Sequence, residues 1–365
     1  MTDGQGKELG GNLADDQSGM VQQAVQQAMA DDRALRVVGG GTKQFYGRMT
    51  EGRRLDLAGH RGIVRYEPTE LVVTVRSGTP VVELERVLSE QGQMLPFEPP
   101  RFGAAATVGG MIACGLSGPR RPWSGAMRDA ALGLRCINGR GEQLRFGGEV
   151  VKNVAGFDVS RLMVGAMGTL GVILEVSLKL IPCPVLEQTR VFDCAEGQAR
   201  EWMADWSRRS LPLSGAVFDG RQLFVRLSGS GAGVSAATQQ LGGDDLAGSE
   251  GWWRNICEHQ HDFFRDPRPL WRLSLPAAAQ PVNIIGDWLY DWGGAQRWLK
   301  TALQSNIIRE MVMRAGGHAT LFRGGDRQGM VFHPLSPAIH SVHKELKAAF
   351  DPQRLFNRGC LYPDI

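Results

Sequence analysis

The sequence predicts an α+β protein of two domains, on three observations. At 365 residues the chain is longer than one ordinary core of roughly 100–200 residues accounts for. In its first half, short β-branched runs alternate with helically spaced apolar residues and are interrupted by glycine-rich stretches without charge. Pro182 and Pro184 break that pattern, and a second region begins with strands and helices of its own.

Taken in order, residues 1–19 are polar and rich in Gly, Asp and Gln, the composition of a mobile end. Met20, Val21, Ala24, Val25 and Met29 keep helical spacing up to Ala30. Arg36-Val37-Val38 reads as a short buried strand stopped by Gly39-Gly40-Gly41, and Leu55-Asp56-Leu57 as another. Leu71 to Val75 is a β-branched strand after the Glu67-Pro68 turn. Thr79 is placed to cap a helix that starts at Pro80, buries Leu84, Val87 and Leu88, and stops at Gly92. Gly103 to Gly118 carries almost only small uncharged residues, which suits tight packing. Strands follow at Leu132–Ile137 and Gly171–Leu180. Beyond Leu186, the strand Leu223–Leu227 and helix-like runs at Gly233–Leu241 and Ala295–Leu303 give the second domain its α+β pattern. An amphipathic helix over His340–Phe350 ends at Asp351-Pro352. The expected domains are therefore 20–184 and 185–345, with a tail at 346–365 returning to the first.

Composition removes several functions. A net charge of +3, from 41 basic and 38 acidic residues, provides no field for nucleic acid. No stretch approaches the roughly 20 apolar residues of a membrane span, and the N-terminus is not a signal peptide, so the expected location is cytoplasmic. The six cysteines show no C-x-x-C spacing, which argues against structural zinc and iron–sulfur ligation.

Three segments carry chemistry. Gly39-Gly40-Gly41-Thr42-Lys43 follows a strand and lets backbone N–H groups converge on an anion such as a pyrophosphate. It matches neither the dinucleotide G-x-G-x-x-G nor the phosphate loop G-x-x-x-x-G-K-[ST], so nicotinamide and ATP sites are disfavoured. Ala104 to Gly118, with Thr107, Val108, Gly109, Gly110, Gly115, Ser117 and Gly118, offers backbone to a planar ligand. Lys152 to Asp158 and Gly168-Thr169-Leu170-Gly171 set polar groups beside glycine ahead of a strand.

In that order, and with Arg128-Asp129 and Gly171-Val172-Ile173, these motifs resemble the FAD-binding domain of the vanillyl-alcohol-oxidase (PCMH) type. The whole chain resembles the small FAD-binding subunits of bacterial glycolate oxidases. The resemblance implies a two-subdomain PCMH-type domain with a smaller α+β cap domain, and FAD held between the two subdomains. Matched by position, Gly39, Gly40, Gly41, Thr42 and Lys43 would face the pyrophosphate. Thr107, Val108, Gly109, Gly110, Gly115, Ser117 and Gly118 would lie along the ribityl chain and pyrophosphate. Arg128, Asp129, Asn153, Gly156, Phe157, Asp158, Gly168, Thr169, Gly171 and Ile173 would frame the rest. Relatives with covalent flavin use a histidine in the first glycine-rich loop, and none stands here, so noncovalent FAD is implied.

Catalytic relatives carry Gly-Asp-Gly-Asn-Leu-His and a later Glu-His-Gly, whereas this chain reads Gly316-Gly317-His318-Ala319-Thr320-Leu321-Phe322-Arg323. No general base is assigned. His318 and Arg323 are the candidates for contact with a carboxylate substrate, because a guanidinium grips one in a bidentate manner. His340 and His343, i and i+3 on the expected helix and without a carboxylate or thiol to complete a ligand set, read as a solvated helix face, so no metal is expected. The second domain holds eight of the nine tryptophans, and Trp252, Trp253 and Trp292 are the candidates for a partner surface.

The implied function is that of an FAD subunit in oxidation of glycolate to glyoxylate. Its partners would be a catalytic FAD subunit and an iron–sulfur subunit, with peripheral attachment to the inner membrane face through them. The competing readings are an autonomous FAD-dependent 2-hydroxy-acid dehydrogenase of the D-lactate type, which the absent motifs oppose, and a structural subunit with a vestigial flavin site. The glycine-rich segments contain no bulky intrusion, which opposes the last.

Overall fold

The computed structural model describes residues 15–148 and 158–365. Its two compact units break at Cys183/Pro184 and at His333/Pro334. Pro334–Ile365 belongs to the first unit, and Ser117–Gly125 to the second. The latter segment is held there by the Trp292 indole, which donates to the Gly118 carbonyl at 2.9 Å, and by Arg121, whose guanidinium lies 4.3 Å from the Trp292 ring centre. Contacts of this kind carry no sequence signature, and the linear reading left the segment in the first domain.

In the first unit, helix Ser18–Ala30 buries Val21, Val25 and Ala28. They pack against Leu35, Leu55 and Leu57 around a parallel strand pair, Leu35–Val38 with Arg53–Asp56. The second subdomain is a five-stranded antiparallel sheet in the order Ile63–Glu67, Val72–Arg76, Val172–Lys179, Ala131–Ile137, Gln143–Gly147. Val72–Arg76 is buried at all five positions because it is flanked on both sides and covered by helices. Helix Val81–Ser89 begins one residue later than the sequence suggests, with Pro80 at its N-cap. The Thr79 hydroxyl does not cap it and instead accepts from Gly62 N at 2.9 Å, a tertiary partner that outcompetes the local one.

Gly103–Gly118 is not uniformly extended. Thr107 accepts from Gly110 N at 3.3 Å to start helix Val108–Cys114, and Gly115 ends it at φ +62.

The second unit is an eight-stranded antiparallel sheet. From its third strand its order is Gln222–Gly229, Leu213–Phe218, Asp287–Asp291, Gln296–Lys300, Leu270–Ser274, His318–Arg323, with Leu186–Asp193 and Asp244–Asp245 on the other edge. Ala295–Leu303, expected as a helix, contains the strand Gln296–Lys300. It is buried at every position and hydrogen-bonded on both sides, and a short buried run of this kind has no period that tells helix from strand.

Two expectations about exposed side chains change. Trp253 is core: it is 3% exposed, its indole donates to Thr189 Oγ1 at 2.9 Å, and the Arg226 guanidinium lies 4.6 Å from the ring centre. Trp252 stacks on Phe224 at 4.0 Å. Trp253→Ser is therefore expected to destabilise the second unit by about 3–5 kcal/mol through a cavity and an orphaned Thr189, read as a lowered denaturation midpoint. A selective loss of partner binding with unchanged stability would contradict this. His340 is not simply solvated, because Nε2 lies 3.0 Å from Asp364 Oδ1.

His60 is fully buried, and its Nδ1 accepts from Gln17 N at 3.0 Å. Burial drives its imidazole down to about 4, Arg76 and Arg135 add to this, and Asp16 opposes it. Between the ordinary 6.5 and about 4 the unfolded chain binds this proton and the folded one does not, so stability is full above 6.5 and is lost as pH falls. The expected loss by pH 4 is on the order of 3 kcal/mol. Melting temperature against pH should show the fall, and His60→Asn should flatten it.

Candidate functional site

The glycines of the first loop sit where a side chain has no room. A Cβ on Gly40 would stand 1.5 Å from the Ala105 carbonyl oxygen, and one on Gly39 would stand 2.1 Å from Thr107 Oγ1. The second segment is pressed in turn on the end of strand Val72–Arg76, where a Cβ on Gly109 would meet Ser77 Cβ at 2.6 Å and Gly109 N donates to Ser77 O at 2.7 Å. The two glycine-rich segments are thus pressed backbone to backbone. Thr42 Oγ1 donates to Arg101 O at 2.7 Å, and Lys43 Nζ reaches the same oxygen at 3.3 Å, which fixes the far end of the loop.

Beside this seam opens a cleft of about 310 Å³, within the size range of small-molecule sites. Of the residues singled out in the sequence, Gly39, Gly40, Gly41, Thr42, Lys43, Thr107, Gly109, Gly110, Gly168, Gly171 and Ile173 line it. Val108 is fully buried in the core behind it, and the Thr169 hydroxyl is turned to Ala166 O at 2.7 Å. Gly115 packs on Gly165, and a Cβ there would lie 3.0 Å from the Gly165 backbone. Arg128 and Asp129 belong to the short helix Met127–Ala130, where Asp129 accepts from Ala126 N. Asp158 caps Val159–Met163 by accepting from Arg161 N at 3.0 Å. Ser117 and Gly118 belong to the second unit. Asn153, Gly156 and Phe157 lie outside the described residues.

The cleft also uses residues that no motif announced. Asn357 bridges its walls: Oδ1 accepts from Val37 N at 2.9 Å and Nδ2 donates to Met167 O at 2.7 Å. A Cβ on Gly168 would meet that Nδ2 at 2.8 Å, which accounts for the glycine. Arg36, Ser77, Cys114 and Cys360 also line the cleft. Burial pushes the Cys114 thiol up to about 11 although Lys43 opposes it, so it is a protonated thiol and not a nucleophile. The only sequence signal for Asn357 is its position after the Asp351-Pro352 stop.

The lining fits an extended ligand with an anionic centre. Ser77 Oγ and Arg36 Nε are buried without a hydrogen-bond partner among the described residues, and both belong to lining residues. Buried polar atoms in this condition call for a ligand or water. Loop amides and Lys43 supply positive potential, and Val37, Val38, Leu57 and Ile173 supply apolar wall.

In the second unit, His318 and Arg323 are the first and last residues of one strand, roughly 17 Å apart at the usual rise. They do not jointly grip one small carboxylate. Among the described residues no group of three His, Cys, Asp or Glu side chains is gathered to hold a metal ion, and no helix is long and apolar enough to cross a membrane.

Comparison with known proteins agrees with this geometry. Residues 16–147 match the family model described as an FAD binding domain. Among solved structures, an alkyldihydroxyacetonephosphate synthase superposes with a TM-score of 0.66 at 15% identity, covering 93% of this chain and 74% of that one, which shows a shared fold. The glycolate oxidase subunit GlcD of Bacillus subtilis is 34% identical over 141 residues, 38% of this chain and 30% of that relative. Fold and cleft together define an FAD-binding oxidoreductase of the PCMH type. The glycolate oxidase subunit GlcE of Escherichia coli K12 is 47% identical over 350 residues, 96% of this chain and 99% of that relative. The chain belongs to the family of glycolate oxidase subunit GlcE.

Proposed function

We propose that this chain is the FAD-binding subunit of a glycolate oxidase complex and takes part in the oxidation of glycolate to glyoxylate, with electrons passed to a partner subunit. The observation that carries the reading is identity over nearly the full length to a GlcE subunit, in a chain whose cleft is lined by two residues, Ser77 and Arg36, with buried polar atoms that have no partner among the described residues. FAD, held noncovalently, supplies the acceptor for the two electrons that leave the alcohol carbon. The Gly39–Gly41 amides and Lys43 would hold its pyrophosphate, and Ser77, Arg36 and Asn357 would orient it. The partners are a catalytic FAD subunit of the GlcD kind and an iron–sulfur subunit. The complex would sit on the cytoplasmic side and meet the membrane through those partners.

The test is the absorption spectrum of the chain expressed alone, before and after anaerobic glycolate, followed by acid precipitation. Flavin that is bound, released by acid and left unbleached by glycolate supports an auxiliary subunit. Bleaching would make the chain an autonomous dehydrogenase, and absence of flavin would remove the cofactor assignment.

A further inference from the structure

The sheet of the second unit has two unlike faces. One is closed by helices Glu196–Trp206, Gly231–Leu241 and Ser305–Arg314, against which Leu223, Val225, Trp271 and Leu273 pack. On the other face Trp252 and Trp253 of helix Ser249–Cys257 pack on Phe224 and Arg226, His259 and Phe264 pack on Trp298, and beside them the register sets Arg272 opposite Thr320 and Trp298, Ser274 opposite His318, and Leu270 opposite Lys300. Paired residues project to the same side of a pleated sheet, so Arg272, Ser274, His318, Thr320 and Lys300 share this face.

The charges on that face do not balance. Arg272 is half-buried and makes no hydrogen bond or ion pair with any described residue. Lys300, 3% exposed, donates only to the backbone carbonyls of Asp266 and Arg268. The carboxylates nearby are engaged elsewhere: Asp266 and Asp287 pair with Arg268, and Asp291 accepts from Trp292 N and the Gln296 amide. Burial, then Arg272 and His333, hold the His318 imidazole below its ordinary value, so it is neutral at pH 7. The face therefore presents an unpaired guanidinium, two hydroxyls and a neutral imidazole, a set that an anion with a hydroxyl group satisfies.

We propose that Arg272, with Thr320, Ser274 and His318, forms a binding site for a small carboxylate. Arg272 grips the carboxylate, the Thr320 and Ser274 hydroxyls donate to it, and His318 accepts from a hydroxyl on the adjacent carbon. The choice of glycolate as occupant rests on the reading proposed above, whereas the demand for an anion rests on the charges alone.

Calorimetric titration of the flavin-loaded full-length chain with glycolate, acetate and chloride tests this. Glycolate should bind, acetate more weakly, and chloride not measurably. Arg272→Gln should weaken glycolate at least tenfold and Arg272→Lys by less, with flavin content and melting temperature unchanged. Should Arg272→Gln fail to fold, Thr320→Val, close in shape, should still weaken glycolate several-fold. Glycolate affinity indifferent to these substitutions, or no binding to the wild-type flavin-loaded chain, overturns the site while the flavin assignment stands. A chain that lacks flavin yet binds acetate through Arg272 overturns the flavin assignment and keeps the site.

Discussion

Gly40→Ala is expected to abolish retention of flavin. The added methyl would stand 1.5 Å from the Ala105 carbonyl oxygen and 2.4 Å from its carbon, and both belong to backbone that no rotamer change relieves. The two glycine-rich segments must separate by more than an ångström, and the loop amides leave the positions from which they converge on an anion. Overpacking of this kind costs about 1–3 kcal/mol in stability, and the loss in cofactor affinity adds to it, so the flavin-to-protein absorbance ratio after desalting should fall at least tenfold. Gly197→Ala is the control. That glycine lies in helix Glu196–Trp206 with nothing within 4 Å of a Cβ, and alanine there should stabilise by roughly 0.5–1 kcal/mol with flavin content unchanged. Normal flavin in Gly40→Ala would mean that the seam is not part of the cofactor site.

Lys347→Met should be nearly as damaging, from the far end of the chain. Lys347 is 3% exposed and its ammonium donates to Asp351 Oδ2 at 2.8 Å, to Thr169 O at 2.7 Å and to Phe356 O at 2.9 Å. Asp351, fully buried, also accepts from Leu355 N and Phe356 N, both at 2.8 Å. Removing the cation leaves a buried carboxylate and two carbonyls without their partner, a loss of about 3–5 kcal/mol. That is a large part of the 5–15 kcal/mol by which domains are usually stable. The same substitution loosens the turn carrying Asn357, so flavin should dissociate faster even below the melting temperature. Lys344→Met, on the exposed side of the same helix where Lys344 pairs with Asp364, should change stability by less than about 1 kcal/mol. Equal effects of the two substitutions would refute the argument.

Local chemistry made much of the fold legible. The helical spacing of Met20 to Ala30 and the β-branched run from Leu71 to Val75 correspond to Ser18–Ala30 and Val72–Arg76. Gln296–Lys300 was misread because a fully buried strand has lost the alternation that identifies strands. Thr79 was misread because its hydroxyl found a partner at Gly62, seventeen residues away.

By itself the sequence determined where glycine must lie at the end of the first strand, which stretches are small enough to bring two backbones together, and that no histidine stands in the first loop. Those are properties of contiguous residues, and steric exclusion at Cβ writes them directly into the choice of amino acid. Only the tertiary structure decided which of those glycines face the cleft, that Asn357 ties Val37 to Met167 across 320 and 190 positions of chain, and that Ser77 and Arg36 bring unmatched polar atoms to it. The same holds for Arg272, whose lack of a counter-charge exists only once three strands are in register. A hydrogen bond or a missing ion pair depends on distance in space, which packing of the core sets and sequence separation does not encode.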